Sequence, residues 1–344
     1  MRIALEEARK GVGLTSPNPA VGAILVIEKK VVAKGHHRRP GGPHAEIECL
    51  RSFGANVPKQ ASMYVTLEPC STAGRTPPCT EAIMAAGVTK VFFGVLDPNP
   101  KHEGRACALL RQAGIAVETG ILAEECSILN EGYNKWIRNH EPFVIAKCGM
   151  SLDGRLTRPP HEHRWLTSPA SRRRAQELRA RVDAILVGAK TVRADNPRLT
   201  VRGTRNSRQP WRVVLTRSGK LPRTADLLTD RWADRTLIYR NQGLKAVLRD
   251  LGKREVTSVL IEGGGDVLGQ ALDACLIDKV QIYLAPLLTG GPVLAFAGQG
   301  AASTRAALRL RRMNFEKIGR DLCVTGYPEI KKEPNNLKPV SSEI

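Results

Sequence analysis

The feature that most constrains the fold is a repeated alternation of short apolar strand segments with amphipathic helical segments. Between residues 3 and 139, runs such as "AILVI", "SMYVTL" and "KVFFGV" alternate with segments whose hydrophobic residues recur at helical spacing, the last predicted as one helix over 123–139. A second series starts at Phe143 and ends in a β segment at about 308–327. Alternating strands and helices predict α/β domains with largely buried sheets.

The break between the two series falls near "RNHEPF" at 138–143. We therefore predict a first domain over residues 1–140 and a different second domain over 141–330, which suits a chain of 344 residues. The polar, proline-bearing tail at 331–344 is predicted to be disordered. Within the second domain, "TVRADNPRLTVR" at 191–202 is polar and turn-rich, and its Asp195 and Arg202 are opposite charges a short distance apart in the sequence.

Composition restricts the class of protein and its partners. Hydrophobic residues make up 42% of the chain, and no apolar run approaches the roughly 18 residues of a membrane helix. The first residues lack the pattern of a secretory signal, so we expect a cytoplasmic protein without a membrane partner. The net charge of +20 indicates either an anionic partner or a general arginine bias. Aromatic residues are only 4% and no RNA-binding motif is present, so no nucleic acid is expected.

The chain contains eight scattered cysteines, most of them in apolar segments. In a cytosolic chain they should remain reduced, which favours metal binding over a disulfide framework. They are Cys49, Cys70, Cys79, Cys107, Cys126, Cys148, Cys275 and Cys323.

Two of these cysteines lie near a histidine in a pattern typical of catalytic zinc. Zinc in such sites takes three protein ligands and one water, and His44, Cys70 and Cys79 supply that number with suitable softness. His44 precedes a predicted helix, Cys70 ends a predicted strand, and Cys79 opens a helix after two prolines. We therefore predict one Zn²⁺ in the first domain.

Glu46, two residues after His44, is the predicted catalytic acid/base. It could take a proton from a zinc-activated water and pass it to a leaving amine, as hydrolytic deamination requires. Eight residues separate Cys70 from Cys79, whereas the usual deaminase spacing is two. The alternatives are ordinary helix residues with buried thiols, or a structural zinc for which Glu46 or a nearby histidine is the fourth ligand.

The chain resembles the bifunctional riboflavin-biosynthesis family, in which a diaminohydroxyphosphoribosylaminopyrimidine deaminase is fused to a 5-amino-6-(5-phosphoribosylamino)uracil reductase. The resemblance covers about residues 1–327 and follows the family's order of motifs, including the long insert between the cysteines. These motifs are "TSPNPAVGAILV", "HAE", "VTLEPCSTAGRTPPC", "DPNP", "SLDG", "RWLTS", "VGAKTVRADNPRLTVR", "IEGGG" and "YLAPLLTGG".

For the first domain, the resemblance implies a cytidine-deaminase-like three-layer α/β/α fold in which His44, Cys70 and Cys79 hold zinc and Glu46 moves protons. Its implied contacts to the pyrimidine and ribose phosphate are Asn18, His37 and Arg75. Asn18 lies between two prolines and could instead cap a turn. Thr72 stands where the family usually has a histidine that touches the substrate. The alternatives are that His36 or a water takes this role, or that the deaminase binds its substrate more weakly.

For the second domain, the resemblance implies a dihydrofolate-reductase-like α/β fold that binds NADPH and reduces the ribosyl group to ribityl. The residues implied at the cofactor are Gly149, Trp165, Thr167, Thr191, Asp195, Gly264, Gly265, Asp266, Val267, Leu268, Gly269 and Gln270. The residues implied at the phosphorylated substrate are His163, Arg179, Leu199, Arg202 and Glu262, with His163 in the place of a common serine.

The leading hypothesis is thus a two-step enzyme acting on a small phosphorylated pyrimidine, with Zn²⁺ and NADPH as cofactors. We expect a homo-oligomer, although the sequence does not set its size. One alternative is an RNA adenosine deaminase with an accessory domain, which has a similar zinc set. The other is a non-catalytic, zinc-stabilised scaffold with basic binding surfaces.

Overall fold

The computed structural model describes residues 1–54, 57–58, 60–72, 77–100, 102–156, 165–204 and 208–329. Arg75, His163 and the tail at 331–344 lie outside these residues, as do the predictions made for them. In the described part of the chain, every helix is too short or too polar to cross a membrane.

The first series of elements forms one mixed sheet covered by helices. Its strands are β1 (Gly22–Ile27), β2 (Lys30–His36), β3 (Ser62–Leu67), β4 (Lys90–Val95) and β5 (Ala116–Glu118). Its helices are α1 (Arg2–Arg9), α2 (Ala45–Phe53), α3 (Cys79–Ala85), α4 (Arg105–Gln112), α5 (Ala123–Leu129) and α6 (Glu131–Asn139). The strand order is β2-β1-β3-β4-β5, with β1 antiparallel to both neighbours and β3, β4 and β5 parallel.

Helices pack on both faces of this sheet. On one face, Gly22 of β1 lies directly against α1, whose alanines and Leu5 are buried. On the other face, residues of α2, α3 and α4 join the strands in a common apolar core that contains Met63, Val65 and Phe93. This arrangement confirms the predicted three-layer α/β/α fold.

The second series forms a larger sheet that runs from Phe143 to Pro328. Its strands are β6 (Phe143–Ser151), β7 (Ala184–Gly188), β8 (Trp211–Thr216), β9 (Thr236–Arg240), β10 (Ser258–Glu262), β11 (Lys279–Ala285), β12 (Leu310–Ile318) and β13 (Asp321–Pro328). Its helices are α7 (Pro169–Arg179), α8 (Ala189–Asp195), α9 (Asp226–Thr229), α10 (Leu244–Lys253) and α11 (Gly265–Asp273). The strand order is β12-β13-β11-β6-β10-β7-β8-β9, parallel from β11 through β9 and closed by an antiparallel β12–β13 hairpin.

Two apolar cores enclose the second sheet. One core packs β6 and β10 against α10 and α11, and the other packs the opposite face against Val192 of α8 and Leu199. The parallel strands are buried on both faces, which explains their nearly continuous apolar sequences.

Two helical segments of the structure differ from the sequence prediction. The helix expected over 123–139 is divided at Asn130, because the side-chain amide of Asn130 turns inward and bonds both the N–H and the carbonyl of Ala20, at 2.8 and 2.9 Å. The polar, turn-rich segment at 191–202 begins inside helix α8, which ends at Asp195 and is followed by Asn196 in a left-handed conformation. Because α8 is rich in polar residues, the sequence pattern did not predict a helix there.

Candidate active sites

Three local structures bring the candidate zinc ligands together. His44 is the residue immediately before α2, and Cys79 is the first residue of α3 after Pro78. Cys70 lies three residues beyond the end of β3, because the strand ends at Leu67 rather than continuing to the cysteine as predicted. The ligand atoms of these three residues all lie within 4.8 Å of one another.

The geometry suits a tetrahedral zinc site. The Nδ1 atom of His44 lies 3.4 Å from the sulfur of Cys70 and 3.3 Å from the sulfur of Cys79. Zinc bond lengths at a tetrahedral angle would separate a nitrogen and a sulfur by about 3.5 Å. Within the described residues, no carboxylate joins this group at the same range, which is the ligand set of a catalytic rather than a structural zinc.

The surroundings of Cys70 favour a thiolate. A hydrogen bond from the thiol of Cys79, with a further one from His44, lowers the pKa of Cys70 to about 4. The backbone N–H of Cys79 also donates to the Cys70 sulfur at 3.3 Å, as expected at a helix start. The same hydrogen bond and burial raise the pKa of Cys79 in the protein alone, so a divalent cation would have to displace one proton from this thiol pair.

Glu46 lies in the first turn of α2, next to the ligand cluster but outside it. Its side chain is only 3% exposed, and burial raises its pKa to about 7. Its carboxylate is in hydrogen-bonding reach of the Cys79 thiol. A buried carboxyl group that titrates near neutrality can both accept and return a proton, as a general acid/base requires.

Asn18 and His37 meet beside the cluster. The imidazole of His37 bonds through Nδ1 to the carbonyl of Pro43 at 2.9 Å, so Nδ1 is the donor and Nε2 is left to accept from the amide of Asn18, at 3.3 Å. Burial lowers the pKa of His37, which keeps it neutral. Its ring contacts the ring of His44 edge-on at 5.3 Å. Because His37 is buried and Asn18 is partly exposed, Asn18 is the one of the pair that a ligand could reach.

Two further residues support this site and were missed from the sequence. Asn130 fixes the backbone of Ala20, two residues after Asn18. Glu68, in the turn before Cys70, accepts hydrogen bonds from the N–H groups of Asp97, Gly104 and Ala106 at 2.8–3.0 Å. Both side chains bond backbone groups far away in the sequence, so nothing in their local pattern could have revealed them.

His36 is one candidate replacement for the histidine that the family usually has at the position of Thr72. His36 points toward α1, where its Nδ1 lies 3.4 Å from a carboxylate oxygen of Glu7. The preceding residue, Gly35, faces α2, and neighbouring residues of a strand point to opposite faces of the sheet. The side chain of His36 therefore lies on the opposite face from the zinc ligands. His36 therefore does not replace the histidine that is absent at Thr72.

The candidate residues of the second domain gather where three neighbouring parallel strands end. In register, Lys147 of β6 faces Glu262 of β10, and Ile261 faces Leu186 of β7. Gly149, the turn after Glu262 and the start of α8 therefore lie side by side at the carboxyl edge of the sheet. Ligands of open α/β sheets bind at this edge.

A largely buried ion pair lies at this edge. The guanidinium of Arg179 donates two hydrogen bonds to the carboxylate of Glu262, one of them at 2.9 Å, and a third to the carbonyl of Thr200 at 3.1 Å. The ammonium of Lys147 lies 3.8 Å from Glu262. Burial alone would raise the pKa of Glu262, but Arg179 and Lys147 hold it below its ordinary value. Arg179 and Glu262, both predicted to contact the substrate, are thus bound to each other.

Arg202 and Leu199 lie on the segment next to this pair. The backbone N–H of Arg202 donates to the side chain of Gln176 at 3.0 Å, and its guanidinium approaches the hydroxyl of Thr200 at 3.4 Å. Leu199 has a left-handed backbone (φ 50°) and a buried side chain that belongs to the core. A ligand could therefore reach Leu199 only through its backbone.

The predicted cofactor residues form two contacting pairs. A Cβ atom at Gly149 would lie 3.0 Å from the methyl of Thr167, and one at Gly264 would lie 2.9 Å from the hydroxyl of Thr191. Trp165 is 46% exposed, and the guanidinium of Arg172 lies 5.2 Å from its ring centre. Asp195 is the last residue of α8.

The run from Gly264 to Gln270 divides into exposed and buried parts. Gly264 has φ 74° and precedes α11, while Asp266 is exposed and pairs with Lys190 of α8 at 2.6 Å. Gln270 is exposed on the same helix. The remaining members are buried, so they could meet a ligand only through the backbone; they are Gly265, Val267, Leu268 and Gly269.

This edge fits a phosphate-bearing nucleotide. Gly263 and Gly264 both have positive φ, and a Cβ atom at Gly263 would meet nothing within 4 Å, so open space adjoins the start of α11. The first N–H groups of a helix and its dipole favour an anionic group there. The glycine turn has no side chains, as expected where a ligand approaches the backbone closely.

Comparisons with known proteins agree with both halves. Residues 1–95 match the cytidine and deoxycytidylate deaminase zinc-binding region, and residues 142–324 match the RibD C-terminal domain. The chain is 37% identical to the riboflavin biosynthesis protein RibD of Bacillus amyloliquefaciens, with 98% of each chain covered. It is 37% identical to that of Escherichia coli, covering 94% of this chain and 97% of the relative.

Solved structures show the same relationship. A diaminohydroxyphosphoribosylaminopyrimidine deaminase/5-amino-6-(5-phosphoribosylamino)uracil reductase from Thermotoga maritima superposes with a TM-score of 0.87 at 32% identity, over 95% of this chain and 97% of that one. RibD of Acinetobacter baumannii superposes with a TM-score of 0.85 at 35% identity, with the same coverage.

Proposed function

Because the chain belongs to the RibD family of bifunctional deaminase–reductases of riboflavin biosynthesis, we propose the substrates, cofactor and residue roles of its two reactions. The first domain deaminates a diaminohydroxyphosphoribosylaminopyrimidine on zinc. The second domain uses NADPH to reduce the ribosyl group of the deaminated product to ribityl. The observation that carries the proposal is the convergence of His44, Cys70 and Cys79 beside the buried Glu46.

In the first reaction, His44 would bind zinc through Nδ1 and the two cysteines through sulfur. Bound there, zinc supplies the Lewis acidity that makes water nucleophilic at neutral pH. The carboxylate of Glu46 accepts the proton of the attacking water and returns it to the departing amine, which leaves as ammonia. Burial keeps Glu46 away from competing solvent protons.

Substrate orientation in the first domain falls to the loop that carries Asn18. Neutral His37 holds one amide N–H of Asn18, so the other N–H and the amide oxygen are left for the pyrimidine. His37 itself is buried and acts through Asn18 rather than by direct contact. Arg75, outside the described residues, stays a proposed phosphate contact on family resemblance alone.

In the second reaction, the proposed nucleotide site is the glycine turn before α11 together with Thr191, Asp195, Gly149, Thr167 and Trp165. NADPH would supply the hydride, and the protein would bind and orient its nicotinamide. Arg179 and Arg202 are the candidate phosphate ligands of the ribosyl substrate, since a guanidinium suits a phosphate group; that of Arg179 also pairs with Glu262. His163, outside the described residues, remains a predicted contact. A cytoplasmic location and a homo-oligomeric state also stay predictions.

The test is a two-stage assay of the purified, zinc-loaded full chain. The diaminopyrimidine substrate alone should release one equivalent of ammonia, and addition of NADPH should then lead to its oxidation and to a ribityl product detected by mass spectrometry. Ammonia release that required RNA would instead favour an RNA adenosine deaminase. A zinc-loaded protein inert in both stages would favour the scaffold hypothesis.

A further inference from the structure

A buried carboxylate at the boundary of the two domains links them through side chains from both. Asp183 precedes β7, and its side chain is 4% exposed. One carboxylate oxygen accepts from the hydroxyl of Ser16 at 2.7 Å and from the N–H and hydroxyl of Thr257 at 2.8 and 2.7 Å. The other accepts from the guanidinium of Arg208. A buried carboxylate is tolerated only with such a complete set of donors.

Ser16 belongs to the first domain and lies in the turn that presents Asn18. The backbone N–H of Asn18 donates to the carbonyl of Thr15 at 2.9 Å, so Ser16 lies inside a tight turn ending at Asn18. Arg208 also donates to the carbonyl of Ser16 at 3.3 Å. Both the side chain and the backbone of Ser16 are therefore held by the second domain.

The other end of the same loop is held within the first domain. The amide of Asn130 bonds both backbone groups of Ala20, while Asn18 bonds His37 between the two anchors. The Asn18 side chain thus sits in a loop fixed at Ala20 by its own domain and at Ser16 by Asp183 and Arg208 of the other.

We propose that Asp183 and Arg208 of the reductase domain are positioning residues for deamination, because they fix the turn that aims Asn18 at the pyrimidine. The inference rests on the proposed function, which makes Asn18 a substrate ligand. Loss of this anchor at Ser16 should weaken substrate binding more than it slows proton transfer. Glu46 and the zinc ligands are held separately, at the start of α2, on α3 and in the turn after β3.

A purely structural role at the boundary predicts something else. The two domains are also joined by other bonds, such as the hydroxyl of Tyr327 to the carboxylate of Glu131 at 2.9 Å. Like Ser16 and Asp183, that pair is a hydroxyl and a carboxylate from opposite domains, but it does not involve the Asn18 loop. It offers a matched control for the general effect of removing one such bond.

The experiment measures both activities of the zinc-loaded full chain for Ser16→Ala, Ser16→Thr and Tyr327→Phe. For Ser16→Ala we expect the deaminase KM to rise on the order of tenfold, the effect of losing one hydrogen bond to a charged acceptor, with kcat changed less than about threefold. Zinc content and reductase kinetics should match those of the wild type. Ser16→Thr keeps the hydroxyl and should restore KM, and Tyr327→Phe should leave KM unchanged.

The inference is overturned if Ser16→Ala leaves the deaminase KM at the wild-type value, if Ser16→Thr fails to restore it, or if Tyr327→Phe raises it equally. A fall in kcat with unchanged KM would also overturn it. Failure of the proposed function has a different signature, namely a wild-type protein that releases no ammonia from the diaminopyrimidine, and it would overturn the inference as well.

Discussion

The exchange of Glu46 for glutamine removes a proton acceptor and little else. Glutamine has nearly the same volume as glutamate, so a side chain that is 3% exposed can be replaced without opening a cavity. The carboxylate lies outside the group of three ligand atoms, so zinc should be retained. The variant therefore isolates the proton transfer from metal binding.

The size of the effect follows from the role. A positioned general acid/base contributes about 10²- to 10⁴-fold, which corresponds to roughly 3–5 kcal/mol of transition-state stabilisation. Glu46 would act twice, on the attacking water and on the leaving amine, so we expect a loss toward the upper end of this range. The loss should appear in kcat and in kcat/KM together, because the interaction is made only in the transition state.

The assay combines ammonia release, metal analysis and NADPH oxidation on one preparation. Reductase activity on the deaminated product serves as an internal control for folding. Glu48→Gln is the matched control, since Glu48 lies in the same first turn of α2, outside the group of zinc ligands, and pairs with Arg38 at 3.0 Å. It should retain deamination within a few-fold.

Three results would contradict this role of Glu46. Deamination by Glu46→Gln within about threefold of the wild type would show that another group moves the proton. Loss of zinc from this variant would make Glu46 a ligand and the site structural. An equal loss in Glu48→Gln would mean that the negative charge of the helix turn, not the position of Glu46, matters.

The other predictions concern the metal, the buried ion pair and the glycine turn before α11. Cys70→Ser should lose zinc and deamination while NADPH oxidation on the deaminated product persists; loss of both activities would show that the domains are not independent. Glu262→Gln should destabilise the protein by about 3–5 kcal/mol at pH 7, because it leaves Arg179 buried without its counter-charge. Arg179 and Lys147 hold the pKa of Glu262 below its usual 4.5, so the stabilisation is present above pH 4.5 and is lost as the pH falls through the folded-state pKa. The difference in melting temperature between the wild type and Glu262→Gln should therefore shrink in acid. Gly264→Ala should raise the KM for NADPH and lower the free energy of unfolding by about 1–2 kcal/mol, because it places a side chain at φ 74°. Gly243→Ala is the control, since Gly243 has φ −70° and open space around it, and it should change neither value in parallel kinetic and thermal-unfolding measurements.

The first site was largely predictable from the sequence because its chemistry is local. His44 and Glu46 are two residues apart on one helix start, and Cys79 follows a proline that fixes the start of another. Residue type, spacing and helix boundaries can be deduced without knowledge of the fold. The resulting ligand cluster has the predicted members, and Glu46 lies beside it as expected.

The second site was less predictable because its contacts join distant segments. Arg179 and Glu262 are 83 residues apart, and only the parallel alignment of β6, β10 and β7 brings them together. The sequence identified both as candidates but not as each other's partner. Similarly, no sequence pattern links Gly264 to Thr191, which meet because α8 and α11 start beside one another.

The domain boundary carries the contacts that a sequence reveals least. Lys135 pairs with Asp278 at 2.6 Å and Lys279 with Glu131 at 2.7 Å, each joining one domain to the other. Partly buried ion pairs contribute little net stability but strongly penalise misalignment, because a shifted partner leaves a desolvated charge behind. These pairs therefore fix the relative register of the two domains. Such a fixed register is what allows Asp183, in the reductase half, to hold a turn of the deaminase site.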